Sequence, residues 1–236
     1  MTINKLVFCL LLPLALFADI DSKKQILEEG KAIYEQTCIS CHGDNGETNP
    51  EIKLVVTPRK LNKTILSKKE SFLIIKESAH YLGAHSDIMP AFKYVYTDRE
   101  IDAVTTYISE TFNPNRDKRI KKLLRNSKHI NTTNQTKMLK TGEEIFKRSC
   151  TKCHSISGNS QSEYVKKSKK SKVFIYPYNL TKTLLEKDEI FLYTKYGGQY
   201  WGAAKNDMPS WQHKYNDFEL KSVAKYIMKE RNKNNP

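Results

Sequence analysis

Two pentapeptides in this chain carry reactive groups at identical spacing, Cys38-Ile39-Ser40-Cys41-His42 and Cys150-Thr151-Lys152-Cys153-His154. On a helical turn, positions i, i+3 and i+4 project from one face, so two sulfurs and an imidazole converge on a single flat object. A porphyrin meets that demand. Each sulfur can close a thioether on a vinyl group while the histidine binds iron from the same side, and Cys-x-x-Cys-His is an attachment signal for c-type haem. Zinc does not call for a histidine directly after each second cysteine, and the two pairs lie much farther apart than in a zinc ribbon. A Cys-x-x-Cys disulfide closes too small a loop to stabilise a fold much. A thioredoxin-like redox pair needs a surrounding βαβ pattern that neither pentapeptide has. The expected cofactors are two covalently bound haem c groups, with His42 and His154 on the irons.

The rest of the chain repeats around these pentapeptides. Gly30-Lys31-Ala32-Ile33-Tyr34 matches Gly142-Glu143-Glu144-Ile145-Phe146, and Pro58-Arg59-Lys60-Leu61-Asn62 matches Pro177-Tyr178-Asn179-Leu180-Thr181. Farther on, Gly83 through Met89-Pro90-Ala91-Phe92 matches Gly202 through Met208-Pro209-Ser210-Trp211. Only the stretch from histidine to proline changes length, with 16 positions from His42 to Pro58 and 23 from His154 to Pro177. A duplicated domain accounts for this. Met89 and Met208, each in a loop and each followed by proline, are the candidate sixth ligands, since a thioether is a soft neutral donor and His/Met ligation raises the potential of a cytochrome c. His80 and His85 lie close enough to Met89 in sequence to compete with it. Pro58 and Pro177 mark Pro-x-x-Leu segments expected to offer the carbonyl that accepts the second ring N–H of each ligating histidine.

The elements that must hold these groups read as helices. Asp21 to Thr37 carries Ile26, Leu27, Gly30, Ile33 and Tyr34 at helical spacing, and Thr141 to Ser149 is a shorter version. Thr97 to Glu100 and Asn216 to Glu219 each place a capping side chain three residues ahead of a glutamate. The helices that follow present Ile101, Val104, Thr105 and Ile108 in one half and Leu220, Val223, Ala224 and Ile227 in the other. First and last helices of each half are expected to cross, with Gly30 and Gly142 allowing close approach near Tyr107 and Tyr226. The fold class is all-α, two domains each wrapped around a haem that completes a small core.

With these motifs in place, both halves resemble class I cytochrome c domains, and the whole resembles tandem di-haem c-type cytochromes of bacterial periplasms. The resemblance covers about 22–112 and 137–232. It implies covalent haem and one-electron transfer, with Cys38, Cys41, His42 and Met89 serving one haem and Cys150, Cys153, His154 and Met208 the other. Two function classes are open on these residues: an electron carrier between respiratory partners, or a haem enzyme such as a di-haem peroxidase, a thiosulfate-oxidising cytochrome or the cytochrome subunit of a periplasmic dehydrogenase. Catalysis at iron generally needs an open coordination position, whereas His and Met together fill both axes, so the chain reads as a carrier and not as an enzyme.

Composition sets the boundaries of that reading. The 236 residues carry 40 Lys+Arg against 26 Asp+Glu, a formal charge of +14, and only 39% hydrophobic residues, which excludes a polytopic membrane protein. Lys5 followed by the apolar run from Leu6 to Phe17 and then Ala18 reads as a secretory signal peptide over 1–18, and Pro13 breaks a run already too short to span a bilayer. Domain 1 is then 19–112, a basic linker occupies 113–136, and domain 2 is 137–236. Asn113 to Thr141 contains nine Lys/Arg against one acid, Asp117, and a second basic run extends from Lys166 to Lys172. Both read as solvated loops, or as surfaces that dock acidic patches on redox partners and release them as salt rises. In a periplasmic compartment nucleic acid is not an expected partner, while anionic lipid headgroups are a further surface for such charge.

Overall fold

Apolar residues recurring every three to four positions, with capping pairs ahead of them, build the helices of both halves. The computed structural model describes residues 22–49, 57–80, 83, 89–127, 134–155, 157–158, 164–167, 172–175, 177–203 and 208–234. The expected signal peptide and His85 lie outside that set. In the first half, helix α1 runs over 22–33, widens into a π-helical turn at Tyr34–Cys38 and closes as Ile39–His42. It is followed by α2 (Lys68–Glu77) and α3 (Asp98–Phe112). Helix α4 (Arg116–Arg125) connects the halves. The second half repeats the plan with α5 (Gln135–Ile145, continuing as the π-helical turn Phe146–Cys150 and then Thr151–His154), α6 (Lys187–Tyr196) and α7 (Asp217–Asn234).

Both expected caps form reciprocal pairs. The Thr97 backbone N–H donates to Glu100 at 2.8 Å while Glu100 N–H donates to Thr97 Oγ1 at 3.3 Å, and Asn216 and Glu219 exchange the same bonds at 2.8 and 3.1 Å. Two further capping boxes, Ser67/Glu70 and Glu186/Glu189, open α2 and α6. The first and last helices of each half cross at glycine. A Cβ on Gly30 would land on the Ala103 carbonyl and the Tyr107 Cβ, and one on Gly142 would land on the Ser222 carbonyl and the Tyr226 Cβ. Around these crossings lie two cores, one of Ile33, Tyr34, Ile75, Ile101, Val104 and Ile108, the other centred on Ile145, Phe146, Phe191, Leu192, Trp201, Leu220 and Val223.

One expectation about a charged segment is corrected, and a second segment gains a strand pair. The linker is not a solvated loop: α4 inserts Ile120 into the second core, with Leu123 and Leu124 against it, because its apolar residues share one face despite the surrounding charge. The stretch between His154 and Pro177 adds a two-stranded antiparallel hairpin to the helical fold, β1 (Tyr164–Lys167) with β2 (Lys172–Ile175), Tyr164 opposite Ile175 and Lys167 opposite Lys172.

The halves meet about an approximate two-fold relation. Lys60 N–H donates to the Gly202 carbonyl at 2.9 Å, and Asn179 N–H donates to the Gly83 carbonyl at 2.7 Å. Lys60 and Asn179 are repeat equivalents, as are Gly83 and Gly202, so the two bonds are one bond made twice. Nearby, Arg116 from α4 reaches between the first glutamates of α2 and α6, again repeat equivalents. Its Nη2 donates to Glu189 and lies 3.8 Å from Glu70, while its Nε donates to the Ile65 carbonyl at 2.7 Å.

One guanidinium can neutralise only one of two buried carboxylates. Burial, then repulsion from Glu189, pushes the Glu70 carboxyl up to about 7, so the fold retains a proton that the unfolded chain releases near 4.5. A folded state that binds more protons loses stability as pH rises, here between about 4.5 and about 7. Glu70→Gln removes that dependence. Thermal melts from pH 4.5 to 7.5 should show a flatter profile for the variant than for the parent, and parallel profiles would refute the assignment.

Candidate haem sites

Each Cys-x-x-Cys-His closes the first helix of its half, its first cysteine being the last residue of the π-helical widening. π-Helical turns are rare and concentrate at functional sites. Here the same turn ends on the first cysteine of both pentapeptides. That turn is pinned to the far end of the domain by a repeated hydrogen bond. Thr37, just ahead of Cys38, pairs its hydroxyl with Tyr96 at 2.5 Å, and Ser149, just ahead of Cys150, pairs with Tyr215 at 2.6 Å. Each tyrosine immediately precedes the capping residue of the last helix, so the attachment turn and that helix are held as a unit.

The four cysteines of the two pentapeptides are free thiols. Burial pushes the Cys38 thiol up to about 11 and the Cys150 thiol up to about 12, and raises Cys153 as well. Among the described residues no three His, Cys, Asp or Glu side chains converge as a metal-binding group. The donor set therefore suits thioether attachment with a single imidazole ligand per iron, and the residues present fit a haem.

The histidines are oriented from behind by the Pro-x-x-Leu segments, one residue later than the proline. His154 is buried, and its Nδ1 lies 3.0 Å from the Tyr178 carbonyl, which fixes that nitrogen as the donor and leaves Nε2 for iron. Pro177 itself is buried beside it. In the first half, His42 Nδ1 is buried without a hydrogen bond of ordinary geometry. The neighbouring backbone acceptor is Arg59, the repeat equivalent of Tyr178. Burial lowers the basicity of His42, and the Arg59 backbone partly restores it. The Pro58 carbonyl instead accepts from Thr48 Oγ1 at 3.3 Å. Both segments are docked on the loop after the histidine by matching bonds, Leu61 N–H to the Gly46 carbonyl at 2.7 Å and Leu180 N–H to the Gly158 carbonyl at 2.8 Å.

Met89 is half-buried against the first core, where its carbonyl accepts from Ala79 N–H at 3.3 Å. Met208 is half-buried, and its carbonyl accepts from Gly198 N–H at 2.8 Å. His80 is exposed. Three residues past Met208, Trp211 Nε1 is a buried donor with no hydrogen-bond partner among the described residues.

The structure adds residues that the repeat alone does not single out. Arg59 extends out of the first half, donates from Nη1 to the Tyr193 hydroxyl at 2.6 Å, and lies 5.3 Å from the Tyr178 ring centre and 5.6 Å from that of Tyr193. The only available clue was that Arg59 stands where the second half has Tyr178. On the outer face of α4, Lys118, Lys121, Lys122 and Arg125 are exposed, whereas Arg116 and Arg119 turn inward. Arg119 caps the Lys63 and Thr64 carbonyls and lies 5.2 Å from the Trp201 ring centre. Among the described residues no helix is long and apolar enough to cross a membrane.

Comparison with known proteins agrees with the duplicated plan. No curated protein matches the chain. A solved structure, the Kuenenia stuttgartiensis reducing HAO-like protein complex, contains a similar chain at 16% identity and a TM-score of 0.42, covering 86% of this chain and 96% of that one. The family model for cytochrome c oxidase, cbb3-type, subunit III matches twice, at 25–108 and at 137–227, one match for each half. The chain therefore belongs to that family of c-type cytochromes, as two cytochrome c domains in tandem.

Proposed function

We propose that this chain is a periplasmic electron carrier that binds two haem c groups, each ligated by histidine and methionine, and passes single electrons between respiratory redox proteins. The observation that carries the reading is the repetition of a complete ligand set: Cys38, Cys41, His42 and Met89 in one domain, Cys150, Cys153, His154 and Met208 in the other. Bound haem supplies reversible one-electron chemistry at iron. The protein's part is to hold it. The thiols would anchor the macrocycle, the Tyr178 carbonyl orients His154, and Met89 and Met208 would serve as the second protein ligand of each iron, so that no position is offered to a substrate. Export through the 1–18 segment supplies the compartment in which haem is attached. Lys118, Lys121, Lys122 and Arg125 form a solvent-facing basic row suited to acidic patches on a donor complex, a dehydrogenase, or a terminal oxidase or reductase. The family's description as an oxidase subunit supports an oxidase as one of these partners.

The test replaces Met89 and Met208 singly with Ala and records the ferric sulfur-to-iron charge-transfer band. Each variant should lose one of two contributions to the band and open one iron to exogenous ligands such as cyanide. A band unchanged by either substitution would remove that methionine from the coordination sphere. Peroxidase or thiosulfate-oxidising activity in the unaltered protein would overturn the carrier reading.

A further inference from the structure

Among the described residues, Arg59 links the surroundings of the two pentapeptide histidines. Its backbone stands behind His42 in the first domain, and its side chain crosses the domain boundary to Tyr178, the residue whose carbonyl accepts from His154. The guanidinium is held there by the Tyr193 hydroxyl and flanked by two aromatic rings. On either side of it, the reciprocal bonds Lys60 to Gly202 and Asn179 to Gly83 lock the two Pro-x-x-Leu segments against the opposite domains. A single residue thus stands beside His42 through its backbone and beside the residue that supports His154 through its side chain.

Resting on the carrier reading above, we propose that Arg59 is a positioning residue common to the two haem sites, whose fixed positive charge raises the reduction potential of both. A guanidinium remains charged at any working pH and, when half-buried, is poorly screened, so it favours the less positive ferrous state of iron in either domain. It lies over the ring of Tyr178, the residue that supports His154, which places the charge at the second domain as well as the first. The repeat contains no second such group, since Tyr178 occupies the equivalent position in domain 2. The arrangement is therefore an asymmetry placed on a nearly symmetric boundary.

The experiment is potentiometric titration of the full-length holoprotein, resolved into two one-electron waves, for Arg59→Met, Arg59→Lys, Tyr193→Phe and Lys60→Met. Met keeps the length of the stem and deletes the charge. Both midpoints should fall in Arg59→Met, by about threefold in each reduction equilibrium, or ~28 mV at 59 mV per tenfold for a one-electron couple. Arg59→Lys should restore most of that loss. Tyr193→Phe, which frees the guanidinium without altering charge, should give a smaller fall in both waves. Lys60→Met, at a partly exposed cation paired with Glu47, should shift neither.

A shift confined to one wave would assign Arg59 to a single domain, and no shift in either would remove its role. Equal shifts in Arg59→Met and Lys60→Met would reduce the effect to net charge. Each of these overturns the proposal. Should Arg59→Met fail to accumulate, the Lys and Phe variants carry the decision: two waves at the parental midpoints in Tyr193→Phe, or lowered midpoints in Arg59→Lys equal to those of a neutral neighbour, would refute it. A parent protein without two low-spin haem waves would instead defeat the carrier reading, which separates the two failures.

Discussion

Gly142→Ala is expected to lower the melting temperature of the second domain by about 15 °C and to cut the yield of haem-loaded protein. Ala is the better helix former by ~1 kcal/mol, so intrinsic propensity predicts the opposite. Packing decides. The added Cβ would coincide with the Ser222 carbonyl and press on the Tyr226 Cβ, and a backbone carbonyl inside α7 cannot rotate away as a side chain would. The helices must separate, which loosens Phe146 from Tyr226 (ring centres 5.3 Å apart) and the apolar residues around them. Overpacking of this kind costs about 1–3 kcal/mol and at times more; at the upper end, less the ~1 kcal/mol gained in propensity, ~2 kcal/mol net corresponds to roughly 8–16 °C for a domain of this size. Circular dichroism melts of the holoprotein would check it. A variant that melts at or above the parent would mean that the helices do not touch there.

The second large effect belongs to Arg116→Met. The parent places one cation among Glu70, Glu189 and the Ile65 carbonyl, with all three charged side chains at most 16% exposed. Removing one partner of a buried ion pair costs about 3–5 kcal/mol, because the carboxylates that remain are desolvated without compensation. Urea denaturation at neutral pH should register that loss. The cost should shrink as pH falls below about 7 and Glu70 takes up its proton, and Glu70→Gln in the Arg116→Met background should recover part of the stability. An additive pair would show that Arg116 and Glu70 do not interact.

The features legible from sequence are those whose signal is local or is stated twice. Cys-x-x-Cys-His is a chemical statement within five residues, and the Met-Pro pairs become informative because Met89 and Met208 fall at equivalent places. The caps at Thr97 and Asn216 and the crossings at Gly30 and Gly142 are read from spacing, since capping and helical periodicity act over three or four residues. The Pro-x-x-Leu segments are correctly placed, but the acceptor at the second domain's histidine is the Tyr178 carbonyl, one residue past Pro177. Spacing locates a loop and does not orient its peptide planes.

The remainder depends on partners distant in the chain. Ile120, Leu123 and Leu124 form a narrow apolar face among Arg and Lys residues, so α4 looks solvated until the core it packs against is known. Arg116 and Glu189 are 73 positions apart, and Arg59 and Tyr193 are 134 apart. No periodicity links such pairs. The only hint was that Glu70 and Glu189 each stand three residues after a capping side chain in matching helices, which announces two equivalent carboxylates without announcing that they face each other.

The paired Lys60–Gly202 and Asn179–Gly83 contacts have a consequence for how the molecule stays assembled. Taken as an encounter between separate proteins, two peptide-to-peptide bonds, one Arg–Tyr clasp and a charged trio would need high protein concentration to persist. Joined through α4, each domain meets its neighbour at an effective concentration set by that connection, whatever the dilution. Opening is then a unimolecular event, and the geometry between the domains should be the same in a dilute extract as in a crowded compartment.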